Sequence, residues 1–159
     1  MKDKFNMVGT TINEFALPSY SDTATEEITN IRSFKGLKNV VVILLRDIKW
    51  PYCRAHIKAL SKDYEKFTNQ DTILYPILVD TMSHAKSMYK AYANHVFPIY
   101  YDSSDEKIAK NVLNQEFKVF KLGRMPALLV VDKEQIIRYA HYGDNMSDIP
   151  RNEEILRFL

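Results

Sequence analysis

Apolar runs and amphipathic stretches alternate along the chain, and each has the length of a strand or a helix. Residues 40–45 (VVVILL) are apolar and rich in β-branched side chains, which predicts a strand buried on both faces of a sheet. Residues 72–80 (TILYPILVD) predict a second central strand. Between them Pro51 suits the first position of a helix, and one apolar stripe follows it at helical spacing. The stripe consists of Cys53, Ile57, Leu60, Tyr64 and Phe67.

The remaining segments continue the alternation of strands and helices. They predict an N-terminal hairpin over residues 14–20 and 28–30, a short helical turn ending in SFKG, a helix over 83–95, a strand over 97–102, a helix over 105–113, a hairpin over 126–132 and 136–142, and a closing helix over 151–159. This order predicts an α/β fold with a central mixed β-sheet, helices on both faces and an N-terminal hairpin extension.

Composition limits the classes of protein and partner. A chain of 159 residues that is 46% hydrophobic has the size of one domain, so we expect residues 1–159 to fold as a single unit. The net charge of +2 is too balanced for a nucleic-acid surface. The longest apolar run is far shorter than the roughly 20 residues of a membrane-spanning helix, so no membrane partner is expected. The amino terminus lacks the apolar stretch of a secretory signal. The single cysteine excludes an internal disulfide and suits the reducing cytoplasm.

Several stretches carry a family resemblance. The apolar strand at residues 40–45 leads into the turn RDIKWPYCRAH, where thioredoxin-like proteins hold a reactive sulfur. Four further stretches, VGTTINEFALPS, IRSFKGLKNVVVILLR, IYYDSSDEKIAKNVL and MPALLVVDKEQIIRYAH, resemble in order the peroxiredoxin branch of the thioredoxin-like superfamily, the alkyl hydroperoxide reductase and thiol-specific antioxidant family. The resemblance implies a thioredoxin-like fold and a thiol peroxidase whose nucleophile is Cys53.

The sequence also departs from the pattern of that family. The family site reads Pro-x-x-x-Thr/Ser-x-x-Cys, in which the hydroxyl contacts the peroxide and the proline shields the thiolate. Trp50 stands in the place of the hydroxyl residue and Arg46 in the place of the proline. The family arginine before the final hairpin is replaced by Pro126, with Arg124 two residues earlier. Because thioredoxins have a cis-proline beside the sulfur, we predict a cis Met125–Pro126 peptide.

Two interpretations of Cys53 remain open from the sequence. Its place in the first turn of a helix favours a thiolate, and so do the nearby basic residues Arg46, Lys49, Arg54 and His56 where they point inward. Its place on the apolar stripe favours an inert core residue, because burial raises the pKa of a thiol. The chain also resembles peroxiredoxin-like relatives that read W-C-P-Y-C at this turn; Cys53 matches their second cysteine and Trp50 replaces the first. This match leaves both interpretations open, because the second cysteine is the more buried one in a thioredoxin and the attacking one in a peroxiredoxin. His56, three residues further on, is either a proton partner of the thiol or an ordinary helical histidine.

We therefore predict a candidate site around Cys53. Its catalytic residues are Cys53, Arg124 and Arg46, and its substrate pocket is formed by Trp50, Pro51, Tyr52, His56, Met125 and Pro126. The hypothesis is a one-cysteine peroxidase that reduces a hydroperoxide to an alcohol or water and is then reduced by an external thiol or redoxin. The alternatives are a catalytically silent thioredoxin-fold interaction protein and a monothiol oxidoreductase acting on disulfides. We expect no cofactor and no metal, because Cys53 and His56 lack a second cluster of ligands. A homodimer is expected from the family alone.

Overall fold

The protein is built on one mixed sheet. The computed structural model describes residues 1–103, 107–121 and 123–159. Its strands are β1 (Ala16–Ser21), β2 (Ala24–Asn30), β3 (Asn39–Leu44), β4 (Thr72–Leu78), β5 (Ile99–Tyr101), β6 (Phe117–Lys118), β7 (Gly123–Arg124), β8 (Ala127–Val131) and β9 (Ile137–Tyr142). Seven of these described strands form the sheet in the order β2-β1-β5-β4-β3-β8-β9, and β6 pairs with β7 in a separate ribbon. Strands β3, β4 and β5 are parallel, whereas the other neighbours in the sheet are antiparallel.

Helices cover both faces of this sheet. They are α1 (Pro51–Lys62), α2 (Tyr64–Thr68), α3 (Met82–Ala91), α4 (Ile108–Asn111) and α5 (Asn152–Leu156), with 3₁₀ turns at Ile31–Phe34 and Val119–Lys121. Successive side chains of β3 point to opposite faces. Val41 and Ile43 pack in the core with α1, α2, α3 and α5, whereas Val40 and Val42 pack in the core with α4 and the N-terminal segment. The predicted fold class and the N-terminal hairpin β1–β2 are therefore confirmed.

The helix predicted after Pro51 is divided into two helices. The chain leaves helical geometry at Asp63, where φ is −101° and ψ is 12°. Here Asn152 Nδ2 donates hydrogen bonds to the Ala59 carbonyl at 3.1 Å and to Asp63 Oδ2 at 3.0 Å. Because Asn152 comes from the far end of the chain, the local apolar pattern contains no signal for this break.

Other boundaries also differ from the predicted ones. Helix α3 ends at Ala91, because Asn94 and His95 have positive φ angles of 52° and 61°. The described part of the helix predicted over 105–113 is α4, and residues 105–106 lie outside the described residues. The β6–β7 ribbon was not predicted, since two-residue strands leave no periodic pattern. None of the helices in the described ranges is long and apolar enough to cross a membrane.

Candidate active site

Cys53 lies where the central strand turns into α1. Strand β3 ends at Leu44, and α1 begins at Pro51 with Trp50 as its N-cap residue. The Trp50 side chain makes no capping hydrogen bond, whereas its carbonyl accepts from the amides of Cys53 at 3.2 Å and Arg54 at 3.3 Å. The amide of Cys53 is therefore already used within the turn.

The sulfur of Cys53 is held inside the protein. The residue is only 1% exposed and belongs to the core cluster that includes Leu45 and Ile57. The amide of Arg46 donates a hydrogen bond to Sγ at 3.3 Å. Burial raises the pKa of the Cys53 thiol above its ordinary value, and the Arg46 amide and guanidinium charge oppose this effect without cancelling it. In this arrangement the thiol form is favoured over the thiolate.

Arg46 is the cation that belongs to this site. Its side chain is 1% exposed, and the guanidinium carbon lies 3.7 Å from the centre of the Trp50 ring, in cation–π contact. Its Nη2 donates to the carbonyl of Lys121 at 3.3 Å. Burial lowers the pKa of Arg46, and the charge of the Cys53 thiolate would raise it. Gly123 lies beside the guanidinium, where a Cβ would make only ordinary contact with Nη2 at 3.4 Å; its φ of +134° is the feature that favours glycine at this position.

The aromatic residues of the turn have different environments. Trp50 is half-buried and packs against the core cluster that contains Cys53. Tyr52 is 48% exposed, and Pro51 is exposed as well. The structure therefore places Trp50 beside Cys53 and Arg46, whereas the predicted pocket residues Pro51 and Tyr52 face outward.

His56 belongs to a different surface of α1. It lines a cavity of about 350 Å³ between α1 and residues 147–153, together with Tyr52 and Asn152. Burial lowers the pKa of His56 to about 4, and its Nε2 has no hydrogen-bond partner among the described residues. A buried neutral imidazole is the acid–base state that we expect at neutral pH. In the described part of the chain no hydrogen bond joins this ring to Cys53.

The residues before β8 contact the site indirectly. Gln115 is buried, and its Nε2 donates to the carbonyl of Leu45 at 3.0 Å and to the carbonyl of Met125 at 3.1 Å. Met125 is 1% exposed, and its amide donates to the Glu116 carbonyl at 2.8 Å. Gln115 thus connects the end of the central strand to the predicted pocket residue Met125. Nothing in the sequence indicated this role, because a single glutamine between two elements has no distinctive pattern.

The prediction of a cis Met125–Pro126 peptide is wrong, because this bond is trans. The carbonyl of Pro126 accepts a hydrogen bond from the Gly143 amide at 2.9 Å. The next residue, Ala127, pairs with Tyr142 at the start of the β8–β9 ladder. With a trans peptide the extended backbone of β8 continues back to Pro126, so Pro126 pairs with Gly143 as a strand residue would.

Arg124 does not lie beside Cys53 but lines a separate cavity. It is half-buried on β7 and lines a cavity of about 300 Å³. The other lining residues are Val79, Asp102, Lys107, Ala109, Lys110, Gln115 and Phe117. No hydrogen bond or ion pair joins Arg124 to Cys53, and of the two predicted arginines only Arg46 affects the pKa of the thiol. No cluster of three or more metal-ligating side chains occurs in residues 1–103, 107–121 and 123–159.

Fold and site together define the class of the protein. A cysteine in the first turn of the helix that follows the central strand of such a sheet is the arrangement of thioredoxin-like redox proteins. More narrowly, the chain belongs to the AhpC/TSA family, whose family model matches residues 8–140. The family predicted from the sequence is confirmed.

Solved peroxiredoxin structures are similar to this one. The reduced 2-Cys peroxiredoxin of Plasmodium vivax superposes with a TM-score of 0.80 at 21% identity over 96% of this chain and 93% of that chain. The mitochondrial 2-Cys peroxiredoxin of Plasmodium falciparum gives 0.72 at 22% identity over 94% and 90%. The peroxidoxin BcpB of Mycobacterium tuberculosis gives 0.78 at 14% identity over 96% and 95%. A search of curated protein sequences finds no match to the chain. Family and fold support a thiol-dependent peroxidase, and the single cysteine fits the one-cysteine class.

Proposed function

We propose that this protein is a one-cysteine peroxidase in which Cys53 is the nucleophile and Arg46 is its cationic partner. The observation that carries the proposal is that Arg46 contacts both the Cys53 sulfur and the Trp50 ring. Its amide donates to the sulfur at 3.3 Å, and its guanidinium lies over Trp50 at the same turn. Arg46 thereby supplies the positive charge that the family arginine position, occupied by Pro126, does not supply.

The proposed reaction is a displacement at oxygen. The Cys53 thiolate attacks the terminal oxygen of a hydroperoxide, the O–O bond breaks, and the leaving alkoxide takes up a proton to become an alcohol or water. Sulfur is oxidised to a sulfenic acid. The Arg46 guanidinium stabilises the negative charge that develops on the leaving oxygen. An external thiol then condenses with the sulfenic acid, water leaves, and a second thiol releases the reduced cysteine as a disulfide forms between the two reductants.

The buried sulfur requires one conformational step before this reaction. Cys53 is 1% exposed, and its pKa is raised by burial, so a hydroperoxide reaches it only after the turn over residues 46–50 moves. Stacking of Arg46 on Trp50 holds this turn closed. We therefore assign Trp50 as the cover of the thiol, in place of the family hydroxyl residue.

The first test measures hydrogen peroxide consumption with excess dithiothreitol. Wild-type protein should turn over and form a sulfenic acid that a dimedone probe captures, whereas Cys53→Ser should do neither. Arg46→Gln should lower the second-order rate constant about 100-fold, since a preorganised charge at the leaving oxygen is lost. The matched control is Arg54→Gln on α1, the helix of Cys53; its guanidinium contacts Tyr92 and not the sulfur, and the variant should retain the wild-type rate. Equal losses in the two variants would contradict the role of Arg46.

The second test measures access to the thiol. Because Trp50 and Arg46 hold the turn closed, Trp50→Ala should raise the rate of Cys53 alkylation by iodoacetamide about tenfold, equivalent to about 1.4 kcal/mol of contact energy. Far-ultraviolet circular dichroism checks that the variant is folded. An unchanged or slower rate would show that Trp50 does not cover the sulfur.

One alternative function has an observation in its favour. A sulfur that is 1% exposed and has a raised pKa also suits a catalytically silent interaction protein of thioredoxin fold. Native alkylation that becomes fast only above pH 9, with no peroxide turnover in wild type or Trp50→Ala, would establish this alternative. A monothiol oxidoreductase is disfavoured, because the disulfide of a protein substrate cannot reach a buried sulfur without larger movement.

Partners and location follow from the same proposal. The substrates are hydroperoxides, and the reductant is a small thiol or a redoxin protein because the chain has no second cysteine. A reducing compartment such as the cytoplasm supplies that reductant and keeps Cys53 reduced between turnovers. A homodimer, as peroxiredoxin relatives typically form, is the expected assembly.

A further inference from the structure

Three apolar side chains that are close together in sequence are exposed to solvent. They lie in residues 117–121, which contain β6 and the following 3₁₀ turn and are called the 117–121 tip below. Phe117 is 58% exposed, Val119 is 72% exposed and Phe120 is 99% exposed. Single exposed apolar residues are ordinary on protein surfaces, whereas an adjacent group that includes a fully exposed phenylalanine indicates an interaction surface.

Basic residues outnumber acidic ones in the segment that contains the tip. Residues 107–124 contain five of the 22 basic residues of the chain and one of its 20 acidic residues. The basic residues are Lys107, Lys110, Lys118, Lys121 and Arg124. None of these five forms an ion pair in the part of the chain that the structure describes. The one acidic residue, Glu116, is paired with Lys4 at 3.0 Å. Two lysines that form no ion pair with a described residue, Lys118 and Lys121, therefore flank Phe120 in sequence. The other three basic residues share a cavity with the buried Asp102 carboxylate.

The tip is fixed to the body of the protein by its backbone. Lys118 pairs with Gly123 in the β6–β7 ribbon, and the Lys121 carbonyl accepts a hydrogen bond from Arg46 at 3.3 Å. At its other end the Glu116 carbonyl accepts from the Met125 amide at 2.8 Å. These bonds hold the segment in the shape that presents Phe120 outward, so little ordering is required when the tip meets a surface.

We infer that the 117–121 tip docks this protein on the surface of an anionic lipid bilayer. Aromatic side chains are favoured at the boundary between headgroups and acyl chains, and each lysine or arginine near an anionic bilayer adds about 1 kcal/mol of attraction. Phe120 and Phe117 enter that boundary, while Lys118 and Lys121 contact the anionic headgroups. A projecting tip suits a deformable bilayer, whereas a protein partner would have to provide a matching pocket.

A second copy of the chain fits this surface less well. In a two-fold dimer the same patch faces itself, so Lys118 and Lys121 of one protomer would lie against the same lysines of the other. The like charges of the two protomers would repel each other, whereas an anionic bilayer would attract them. The absence of a membrane-spanning helix does not oppose the inference, because docking on a surface requires none.

Vesicle cosedimentation tests the inference without any reference to catalysis. Wild-type protein should bind vesicles of equimolar phosphatidylglycerol and phosphatidylcholine, bind pure phosphatidylcholine vesicles far less, and dissociate as salt is raised. Phe120→Ser should weaken binding about tenfold. The double variant Lys118→Gln/Lys121→Gln should weaken it about 25-fold, the equivalent of about fivefold for each lysine. The matched control is Ile28→Ser on β2, the edge strand of the sheet, which removes a side chain that is 68% exposed and lies outside the tip, and it should bind as wild type does.

Several results would overturn the inference. One is wild-type protein that leaves anionic vesicles unbound, and another is binding that is the same with and without phosphatidylglycerol. If Phe120→Ser and Ile28→Ser weaken vesicle binding equally, the tip is not the membrane-binding surface. If sedimentation velocity shows a dimer that Phe120→Ser dissociates, while vesicles do not bind, the tip is an interface between copies of this chain.

Discussion

The buried histidine of α1 makes the stability of this protein sensitive to mild acid. His56 is 8% exposed, and burial lowers its pKa to about 4 from an ordinary value of 6.5. In the unfolded chain the imidazole is in water and takes up a proton near pH 6.5. Because the folded pKa lies below the unfolded one, the unfolded state binds more protons between these values. The stabilisation is therefore fully present above pH 6.5 and is lost as the pH falls toward 4.

The size of this effect follows from the two pKa values. A difference between 6.5 and about 4 corresponds to about 3 kcal/mol once the pH is below both values, and to about 2 kcal/mol at pH 5. Small domains have total free energies of unfolding of about 5–15 kcal/mol, so protonation of this single group in acid removes a substantial part of the stability. His56→Leu removes the titrating group and also the buried Nε2, which has no hydrogen-bond partner among the described residues. The variant should keep its stability at pH 7 or gain about 1 kcal/mol.

Urea unfolding followed by tyrosine and tryptophan fluorescence measures this difference. The free energy of unfolding is determined at pH 7, 6 and 5 for wild type, His56→Leu and Lys58→Ala. Lys58 lies on the exposed side of the same helix, so its variant reports the acid dependence that all other groups share. Wild type and Lys58→Ala should lose about 2 kcal/mol more than His56→Leu between pH 7 and pH 5.

Parallel pH curves for wild type and His56→Leu would refute this reasoning. Such a result would mean that His56 accepts a proton in the folded protein, through water or through movement of residues 147–153. The imidazole would then be available as a proton partner, as the sequence alone allowed. A smaller difference, about 0.5 kcal/mol, would place the folded pKa near its ordinary value.

Two substitutions test how the surroundings of Cys53 are held. Gly143→Ala should destabilise the protein by about 2 kcal/mol in urea unfolding, because the added Cβ would lie 2.6 Å from the Asp148 carbonyl oxygen. Gln115→Leu should cost about 2 kcal/mol, because the Leu45 and Met125 carbonyls lose their buried donor. It should also change the rate of Cys53 alkylation, which Gly143→Ala should leave as in wild type. A Gln115 variant of unchanged stability and rate would show that water replaces the amide.

The candidate site could be predicted in part from the sequence. The turn with Cys53 and its place after the central strand follow from the apolar run at residues 40–45 and from Pro51, both of which are local signals. Of the predicted site residues, the structure brings Arg46 to the sulfur, and the Trp50 ring packs on the Arg46 guanidinium. Arg124 lines a separate cavity, and His56 faces residues 147–153. Spacing along the chain does not distinguish these outcomes, because each depends on which loop covers which end of the sheet.

By itself the sequence determined the family, the α/β order of elements and the existence of a single thiol, because periodicity, family motifs and residue counts are properties of the chain. The state of that thiol was decided by tertiary structure. Packing of Cys53 at 1% exposure raises its pKa, while the amide of Arg46, seven residues earlier, bonds to its sulfur. Gln115 and Lys121, from segments distant in sequence, bond to the Leu45 carbonyl and to the Arg46 side chain at the start of the same turn. Desolvation depends on how much protein surrounds an atom, and neighbours that arrive from other parts of the chain leave no local pattern.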